Sequence, residues 1–325
     1  MQNKNLRLPV LVFVQPLLVI SFFVAPASVL AIDEKPAARD ANLLEESIKE
    51  NKELAIQNQQ NRQYKQALVY TEAWLNLLSK SNNKFEQSQA QEMLSQLYCK
   101  LDDAARTISW GKAAIDSMLI AKGATSAEYA QSLLKYSSAL KTIKELDEAE
   151  KLTLQSIQIL RKSKSYDELI LALLFLGQIK HETGDYKNAI ACFNEAMQLN
   201  ELNTKTPERK EMRNITCWKH LAESCEKAQQ WQTAELYWKK LIEWKIQNGK
   251  DPDYYRTMLA FCYGHEGKLK DADETFSEIL QQKRDENDNS KLATYLDWYV
   301  RYLESTGRPK EADRARKELN LVRAR

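Results

Sequence analysis

Apolar residues recur at helical spacing in three stretches of the chain whose sequences otherwise differ. The stretches are residues 186–197 (YKNAIACFNEAM), 231–244 (WQTAELYWKKLIEW) and 269–280 (LKDADETFSEIL). Apolar residues three and four positions apart form one stripe along a helix, and such a stripe is typical of a helix packed against a partner. The pattern predicts amphipathic helices, and its recurrence predicts a repeated unit.

The repeated unit is recognised by one position that holds a small residue and that recurs at steps of 40, 42, 40, 45, 38 and 40 residues. The small positions are Ala67, Thr107, Ala149, Ala189, Ala234, Ala272 and Ala312. Thirteen residues before each lies a large apolar residue, and these are Leu54, Leu94, Tyr136, Leu176, Leu221, Leu259 and Tyr299. The residues that follow them, small in six of seven units, are Ala55, Ser95, Ser137, Gly177, Ala222, Ala260 and Val300. These columns predict close crossings between a first and a second helix, because side-chain bulk sets the distance between helix axes.

Glycine marks the turn inside several units. Gly184, Gly267 and Gly307 each lie five residues before a small position, where a left-handed residue would end the first helix. The whole chain has only 8 Gly and 7 Pro in 325 residues, which indicates few turns and long elements. The sequence therefore predicts an all-α chain of about seven antiparallel helix pairs.

The repeated unit resembles the tetratricopeptide repeat (TPR) family over about residues 43–321. The residues that carry the resemblance are Trp218, Leu221, Ala222, Ala234 and Trp238 in one unit, and Leu176, Gly177, Gly184, Tyr186, Ala189, Phe193 and Ala196 in another. The period of about 40 residues exceeds the common form and is similar to the longer units of kinesin light chains. The resemblance implies a right-handed α-solenoid with a concave groove. It also implies binding of another protein rather than catalysis, with residues 322–325 left as a C-terminal tail.

Residues 1–31 differ in composition from the rest of the chain. Lys4 and Arg7 form a basic start, residues 8–24 are almost wholly apolar, and small residues follow. This order is typical of a secretory signal peptide, and it predicts cleavage after Ala31, with cleavage after Ala27 as the alternative. The chain is therefore expected to be exported.

An uncleaved membrane anchor is the other interpretation of the N-terminal segment, since its apolar run is nearly long enough to span a bilayer. Pro9, Gln15 and Pro16 interrupt that run. In either case residues 32–42 are predicted to be a flexible linker that precedes the repeats.

Charge argues against nucleic acid as a partner. Without residues 1–31 the count of Lys+Arg falls from 47 to 45, equal to the 45 Asp+Glu, whereas binding a phosphate backbone needs concentrated positive charge. Residues 308–325 hold seven basic and three acidic residues. They are predicted to form the polar cap that a solenoid needs at its end, and contact with an anionic surface is the alternative.

No catalytic, metal or cofactor site is predicted. His181-Glu182 and His265-Glu266 lack the second His, four residues after the first, that a zinc-protease motif requires. The eight glycines form no phosphate-binding loop. The five cysteines are an odd number, so at least one is unpaired, and they are predicted to be small buried residues, with one bridge between neighbouring helices as the alternative.

Carrying the concave positions of the TPR family over to this chain gives the candidate protein-binding residues. They are Lys52, Gln59, Gln96, Gln131, Ser138, Gln178, His181, Lys219, Glu223, Tyr254 and Phe261. Amide side chains can hydrogen-bond an extended peptide backbone. Most aromatic residues of the fifth and sixth units are predicted to be core, whereas Tyr254 and Phe261 are expected to be exposed anchors.

The leading hypothesis is an exported scaffold or adaptor that binds a peptide segment of another protein in its groove. The first alternative is a structural solenoid that associates with itself and has no dedicated peptide ligand. The second alternative is an enzyme with a site on the inner wall, and the absence of any coherent nucleophile, metal or phosphate motif argues against it.

Overall fold

Fourteen α-helices make up the part of the chain that the computed structural model describes, residues 36–324. They are α1 (Pro36–Gln60), α2 (Tyr64–Leu78), α3 (Lys84–Lys100), α4 (Ala104–Lys122), α5 (Ala127–Thr142), α6 (Leu146–Ser163), α7 (Tyr166–Glu182), α8 (Tyr186–Asn203), α9 (Pro207–Lys227), α10 (Trp231–Gln247), α11 (Asp253–His265), α12 (Leu269–Asp285), α13 (Asn289–Ser305) and α14 (Pro309–Arg323). None of these helices is both long and apolar enough to cross a membrane.

The helices form seven pairs in chain order, which confirms the predicted all-α solenoid of antiparallel helix pairs. The predicted signal peptide, residues 1–31, lies outside the described residues. The chain divides into two compact units, Met1–Leu43 and Leu44–Arg325, and the solenoid is the second. Helix α1 begins at Pro36, inside the predicted linker 32–42, and proline suits a first helical position because no N–H is needed there.

The predicted close crossings are present in every unit. All seven small positions on the second helices are at most 1% exposed. The seven residues opposite them on the first helices are buried as well, and these are Ala55, Ser95, Ser137, Gly177, Ala222, Ala260 and Val300. Ser95 Oγ donates to the carbonyl of Thr107 at 2.8 Å, and Ser137 Oγ donates to that of Ala149 at 2.6 Å. At Gly177 an added Cβ would lie 2.5 Å from the Phe193 ring. The helices therefore meet at distances that only small side chains permit.

Every unit turns through one left-handed residue, five positions before its small position. Three of the seven are glycines, Gly184, Gly267 and Gly307, with φ of 81°, 78° and 72°. The other four, which the sequence analysis did not identify, have φ from 58° to 68° and are Arg62, Asp102, Lys144 and Gln229. The turn geometry is thus common to all seven units, although glycine supplies it in only three.

Successive first helices contact one another in the pairs α3–α5, α5–α7, α7–α9 and α11–α13. Within the described residues no two second helices make a comparable contact. The odd-numbered helices therefore lie on the inside of the curve, and their exposed side is called the inner face below. The even-numbered helices form the outer face.

Helix α9 is longer at its N-terminal end than α7, because α9 begins fourteen residues before Leu221 whereas α7 begins ten residues before the equivalent Leu176. Those four extra residues, 207–210, add about one helical turn. They account for four of the five residues by which the 45-residue step between Ala189 and Ala234 exceeds the common step of 40. This extra turn lies at the inner face and helps to build the site described next.

The chain ends in a helix that covers the last unit. On α14 the residues Ala312, Ala315, Leu319 and Val322 are buried, and Leu319 and Val322 pack with Leu296 of α13. Val322 was predicted to begin a C-terminal tail. It instead belongs to the core, since its position continues the buried stripe of α14.

Candidate protein-binding face

All eleven candidate residues lie on first helices, as the TPR resemblance implied. Lys52 and Gln59 are on α1, Gln96 on α3, Gln131 and Ser138 on α5, Gln178 and His181 on α7, Lys219 and Glu223 on α9, and Tyr254 and Phe261 on α11. Whether they bind a protein stays a prediction.

Several candidate side chains are hydrogen-bonded to the next unit. Lys52 Nζ donates to Gln89 Oε1 at 3.4 Å, and Gln59 Nε2 donates to Gln96 Oε1 at 3.3 Å. Gln131 Nε2 donates to Glu168 Oε1 at 3.3 Å. The amides that were expected to meet a peptide backbone therefore link neighbouring first helices, and a ligand would have to compete for them.

A second group of bonds joins the C-terminal halves of α7 and α9. Gln178 Nε2 lies 3.2 Å from His220 Nε2, and His181 Nδ1 lies 2.9 Å from Ser224 Oγ. Burial lowers the pKa of His181, which favours the neutral imidazole.

Glu223 completes this group through ion pairs on α9. Its carboxylate lies 3.3 Å from His220 Nδ1 and 3.8 Å from Lys219 Nζ. Burial acts to raise the pKa of Glu223, but the hydrogen bond from His220 and the charge of Lys219 outweigh it, so that the pKa is lowered. Glu223 is therefore a charged member of the inner face.

The two predicted aromatic anchors have different surroundings. The Tyr254 side chain is 45% exposed, and its ring meets Tyr255 edge to face at 5.4 Å. Phe261 was expected to be exposed as well, but it is half-buried. Its ring centroid lies 6.0 Å from those of Phe276, Trp298 and Tyr302. The expectation was wrong for Phe261 because this helix packs against rings of α12 and α13, so Tyr254 alone is an exposed anchor.

The N-terminal halves of α7 and α9 flank a hollow of about 540 Å³ on the inner face. This α7–α9 hollow is lined by Asp167, Glu168, Leu171, Leu174, Phe175 and Gln178 of α7 and by Arg209, Met212, Arg213 and Thr216 of α9. Leu171 is 53% exposed and Met212 is 69% exposed. Two large apolar side chains therefore face solvent together, next to a half-buried Phe175.

Two arginines share one carboxylate at the rim of the hollow. Arg213 Nη1 donates to Asp167 Oδ1 at 2.7 Å, and Arg209 Nη1 donates to Asp167 Oδ2 at 3.1 Å. The hydrogen bond from Arg213 lowers the pKa of Asp167, and the charges of both arginines add to that effect. Arg213 is buried and also donates to Thr204 Oγ1 at 2.8 Å.

A buried amide holds the extra turn of α9 in place. Asn200 of α8 is fully buried, and its Nδ2 donates to the carbonyl of Lys210 at 2.8 Å and to Asn214 Oδ1 at 2.9 Å. Its Oδ1 accepts a hydrogen bond from Thr204 Oγ1 at 2.7 Å. Because Thr204 also bonds Arg213, one network joins α8, the connection after it and the rim of the hollow.

The buried titratable groups near the inner face have structural partners. Burial raises the pKa of Glu226, whose Oε1 accepts the Trp238 Nε1–H at 2.7 Å.

All five cysteines are unpaired, and burial raises the pKa of Cys217 to about 12 and that of Cys192 to about 11. Such thiols are poor nucleophiles at neutral pH. Within the described residues no cluster of His, Cys, Asp and Glu is arranged to hold a metal ion.

A larger cavity, about 1170 Å³, lies between α12 and α14 and also touches α13. One ion pair lies within its lining, since Arg284 Nη2 is 2.7 Å from Glu318 Oε1. An outer hollow of about 520 Å³ is lined in part by Met197, Leu202 and Trp218. Neither cavity contains any of the candidate residues.

Sequence reasoning missed the residues that open the α7–α9 hollow. Leu171, Met212 and Arg209 were not among the candidates, although the neighbouring Gln178 was. The available signal was the 45-residue step, which is longer than the other five. Insertions in a repeat array tend to lie on one face, and often on the binding face.

One stretch of the chain matches a family model. Residues 171–201 match the model described as tetratricopeptide repeat. This stretch covers most of α7 and α8, the pair in which Phe193 packs on Gly177. No curated protein sequence matches the chain.

Several solved structures have a similar fold. Aspartyl phosphate phosphatase F from Bacillus subtilis superposes with a TM-score of 0.58 at 14% identity, over 90% of this chain and 73% of that one. A putative kinesin light chain with TPR-like repeats from Podosopora anserina gives 0.54 at 15% identity, over 62% and 96%. PilF from Pseudomonas aeruginosa gives 0.52 at 16% identity, over 78% and 97%. The chain therefore contains one stretch that matches a tetratricopeptide repeat, and its fold is that of a TPR-like α-solenoid.

Proposed function

We propose that the protein is a protein-interaction scaffold that binds a peptide segment of another protein on its inner face. The observation that carries the proposal is the α7–α9 hollow, where Leu171 and Met212 are exposed side by side. Exposed apolar groups gathered in a concave site, and rimmed by polar residues, are typical of interaction surfaces. Tyr254 lies on the same face, on α11, which is the next first helix after α9.

The proposed mode of binding is burial of side-chain anchors in preformed hollows. The amides at Gln59, Gln131 and Gln178 already bond neighbouring units, so they shape the face more than they bind the ligand. Affinity would come chiefly from apolar area removed from water, at about 25 cal/mol per Å². Repeat solenoids use such extended faces for binding.

We also propose that the protein acts outside the cytoplasm. The basic start, the apolar run and the small residues near Ala31 support this, because together they form the pattern of a secretory signal peptide. The intact mass of the protein recovered from its native host is expected to correspond to a chain that begins at Ile32. A mass that retains residues 1–31 would favour the anchor instead.

A matched pair of leucines tests peptide binding. Leu171 on the inner face and Leu236 on the outer α10 are 53% and 52% exposed. Random twelve-residue peptides are selected on the purified protein, and their affinities are then measured for Leu171→Asp and Leu236→Asp. We expect Leu171→Asp to weaken binding about tenfold or more, since it loses the burial of one leucine, and Leu236→Asp to leave it unchanged.

Equal affinities for both variants would contradict the proposal. Light scattering on the same samples tests the self-association alternative. Oligomers that grow with concentration, and that persist in Leu171→Asp, would replace peptide binding with a structural role.

A further inference from the structure

We infer that the α7–α9 hollow recognises a peptide in which an apolar side chain stands next to a carboxylate. This inference rests on the proposed function and names the chemistry of the partner at one place on the inner face. The hollow lies beside α7 at the N-terminal half of α9, where the extra turn of α9 is added. Its apolar residues and its two arginines, Arg209 and Arg213, would contact different parts of the same ligand.

The apolar part of the site is formed by Leu171 of α7 and Met212 of α9, with Leu174 and Phe175 beneath. A hollow of about 540 Å³ has room for a large aliphatic or aromatic side chain. Methionine has three rotatable bonds and a polarisable sulfur, so Met212 can adapt to side chains of different shape. The site therefore specifies an apolar anchor without fixing a single residue type.

The polar part of the site carries one excess positive charge on the α9 side. Arg213 is 7% exposed, and its guanidinium is committed to Asp167 and Thr204. Arg209 lies 3.1 Å from the same Asp167 carboxylate, but its side chain is 58% exposed. Because Asp167 keeps its bonds to Arg213, Arg209 can bind a second carboxylate from a ligand.

The other carboxylate of the hollow does not cancel this charge locally. Glu168 also lines the hollow, but its Oε1 accepts a hydrogen bond from Gln131 Nε2 of α5, so its carboxylate is engaged on the α5 side of α7. An arginine binds carboxylates through several parallel N–H donors, and such charge-assisted bonds are stronger than neutral ones. Charge complementarity therefore places the acidic group of the ligand at Arg209.

The rim is held in place before any ligand arrives. Asn200 fixes the extra turn through the carbonyl of Lys210, and Thr204 ties Asn200 to Arg213. Groups that are already ordered lose less conformational entropy on binding. This favours an anchor site that exists in the unbound protein.

The inference is tested by separate selections from a random twelve-residue peptide library on wild-type protein, Arg209→Glu and Lys210→Glu. Lys210 is the matched control because it is adjacent in sequence but lies 2.5 Å from Glu201 of α8, away from the hollow. Wild type and Lys210→Glu are expected to enrich an apolar residue beside Asp or Glu. Arg209→Glu is expected to enrich the apolar residue beside Lys or Arg.

Synthetic peptides from the wild-type selection then measure the contribution of the acid. Replacing Asp or Glu by Lys is expected to weaken binding to wild type about tenfold and to strengthen binding to Arg209→Glu. Each peptide is made with a free and with an amidated C-terminus, which distinguishes a side-chain carboxylate from a terminal one.

Two outcomes overturn the inference, and they differ from failure of the proposed function. The first is apolar enrichment without an acid, and the second is an acidic preference that Arg209→Glu leaves unchanged. In both cases peptide binding that is lost in Leu171→Asp would leave the proposed function standing. Peptides whose binding ignores Leu171→Asp would overturn the proposed function itself.

Discussion

The inner face is closed between α5 and α7 but open between the N-terminal halves of α7 and α9. In the closed region Gln131 bonds Glu168, and Lys141 Nζ lies 2.6 Å from Glu182 Oε1 at the other end of the pair. In the open region an added helical turn carries Arg209 and leads into Met212, whose side chain faces solvent. Polar residues of successive units pair in both regions, since Arg209 and Arg213 of α9 bond Asp167 of α7. The region with the extra turn differs because Leu171 and Met212 are exposed beside that pairing.

The largest effect is expected from two leucines of α7 that lie on different sides of this helix. Leu173 is 2% exposed and Leu171 is 53% exposed. Leu173→Ala is expected to lower the free energy of unfolding by about 2–5 kcal/mol, because it leaves a cavity. Leu171→Ala is expected to change it by less than about 0.5 kcal/mol. Urea denaturation measures both, and equal losses would mean that the hollow is not open.

A smaller effect is expected from the network that holds the extra turn. Asn200→Ala leaves buried partners unsatisfied and is expected to cost about 1–3 kcal/mol. Hydrogen exchange of residues 207–213 should also become faster. Asn203→Ala is the control, since this half-buried side chain bonds only the carbonyl of Leu199. Unchanged exchange in Asn200→Ala would show that the turn is held by other contacts.

The turns that follow α7 and α9 give a further comparison. Gly184 has φ of 81°, and its counterpart Gln229 has φ of 59°. A side chain in left-handed backbone costs about 1–2 kcal/mol. Gly184→Ala is therefore expected to lower the melting temperature, and Gln229→Gly is expected to raise it. Opposite signs in thermal unfolding are the test, and shifts of the same sign would contradict a shared turn geometry.

The smallest effect is expected on the pH dependence of stability, through His181 in the C-terminal half of α7. Burial holds the pKa of His181 below its ordinary value of 6.5. The folded state therefore binds a proton less readily than the unfolded state, so this contribution to stability is present above pH 6.5 and is lost as pH falls. Unfolding at pH 7 and pH 5 should differ less in His181→Gln than in wild type. His265→Gln, at an exposed position, is expected to retain the wild-type difference.

The helix pairs could be predicted because their cause is local and repeated. Ala189 and Gly177 lie at a crossing, and small residues recur at the equivalent positions of the other units except at Val300. Four of the left-handed turns had no such signal. Arg62 and Gln229, for example, adopt the turn because the flanking helices pack, which no single residue reveals.

The sequence could predict which face of the solenoid holds the candidate site, but not the contacts of the side chains on that face. The TPR resemblance placed Gln59 and Gln178 on the correct helices, but it could not indicate that they bond residues one unit away. Phe261 faces rings that come from two later helices, so its burial depends on packing distant in sequence. The hollow likewise depends on where α9 begins relative to α7. The 45-residue step indicates extra residues in this unit, but it does not show where in the unit they lie.

Methionine methyl signals provide the most direct test of binding at the hollow. Met212 lies in the α7–α9 hollow, whereas Met197 lies in the outer hollow near Trp218. Protein labelled at the methionine methyl groups is titrated with a peptide from the wild-type selection, and the two signals are followed by NMR. We predict that the Met212 signal shifts while the Met197 signal stays in place. A shift at Met197 with Met212 unchanged would contradict the account.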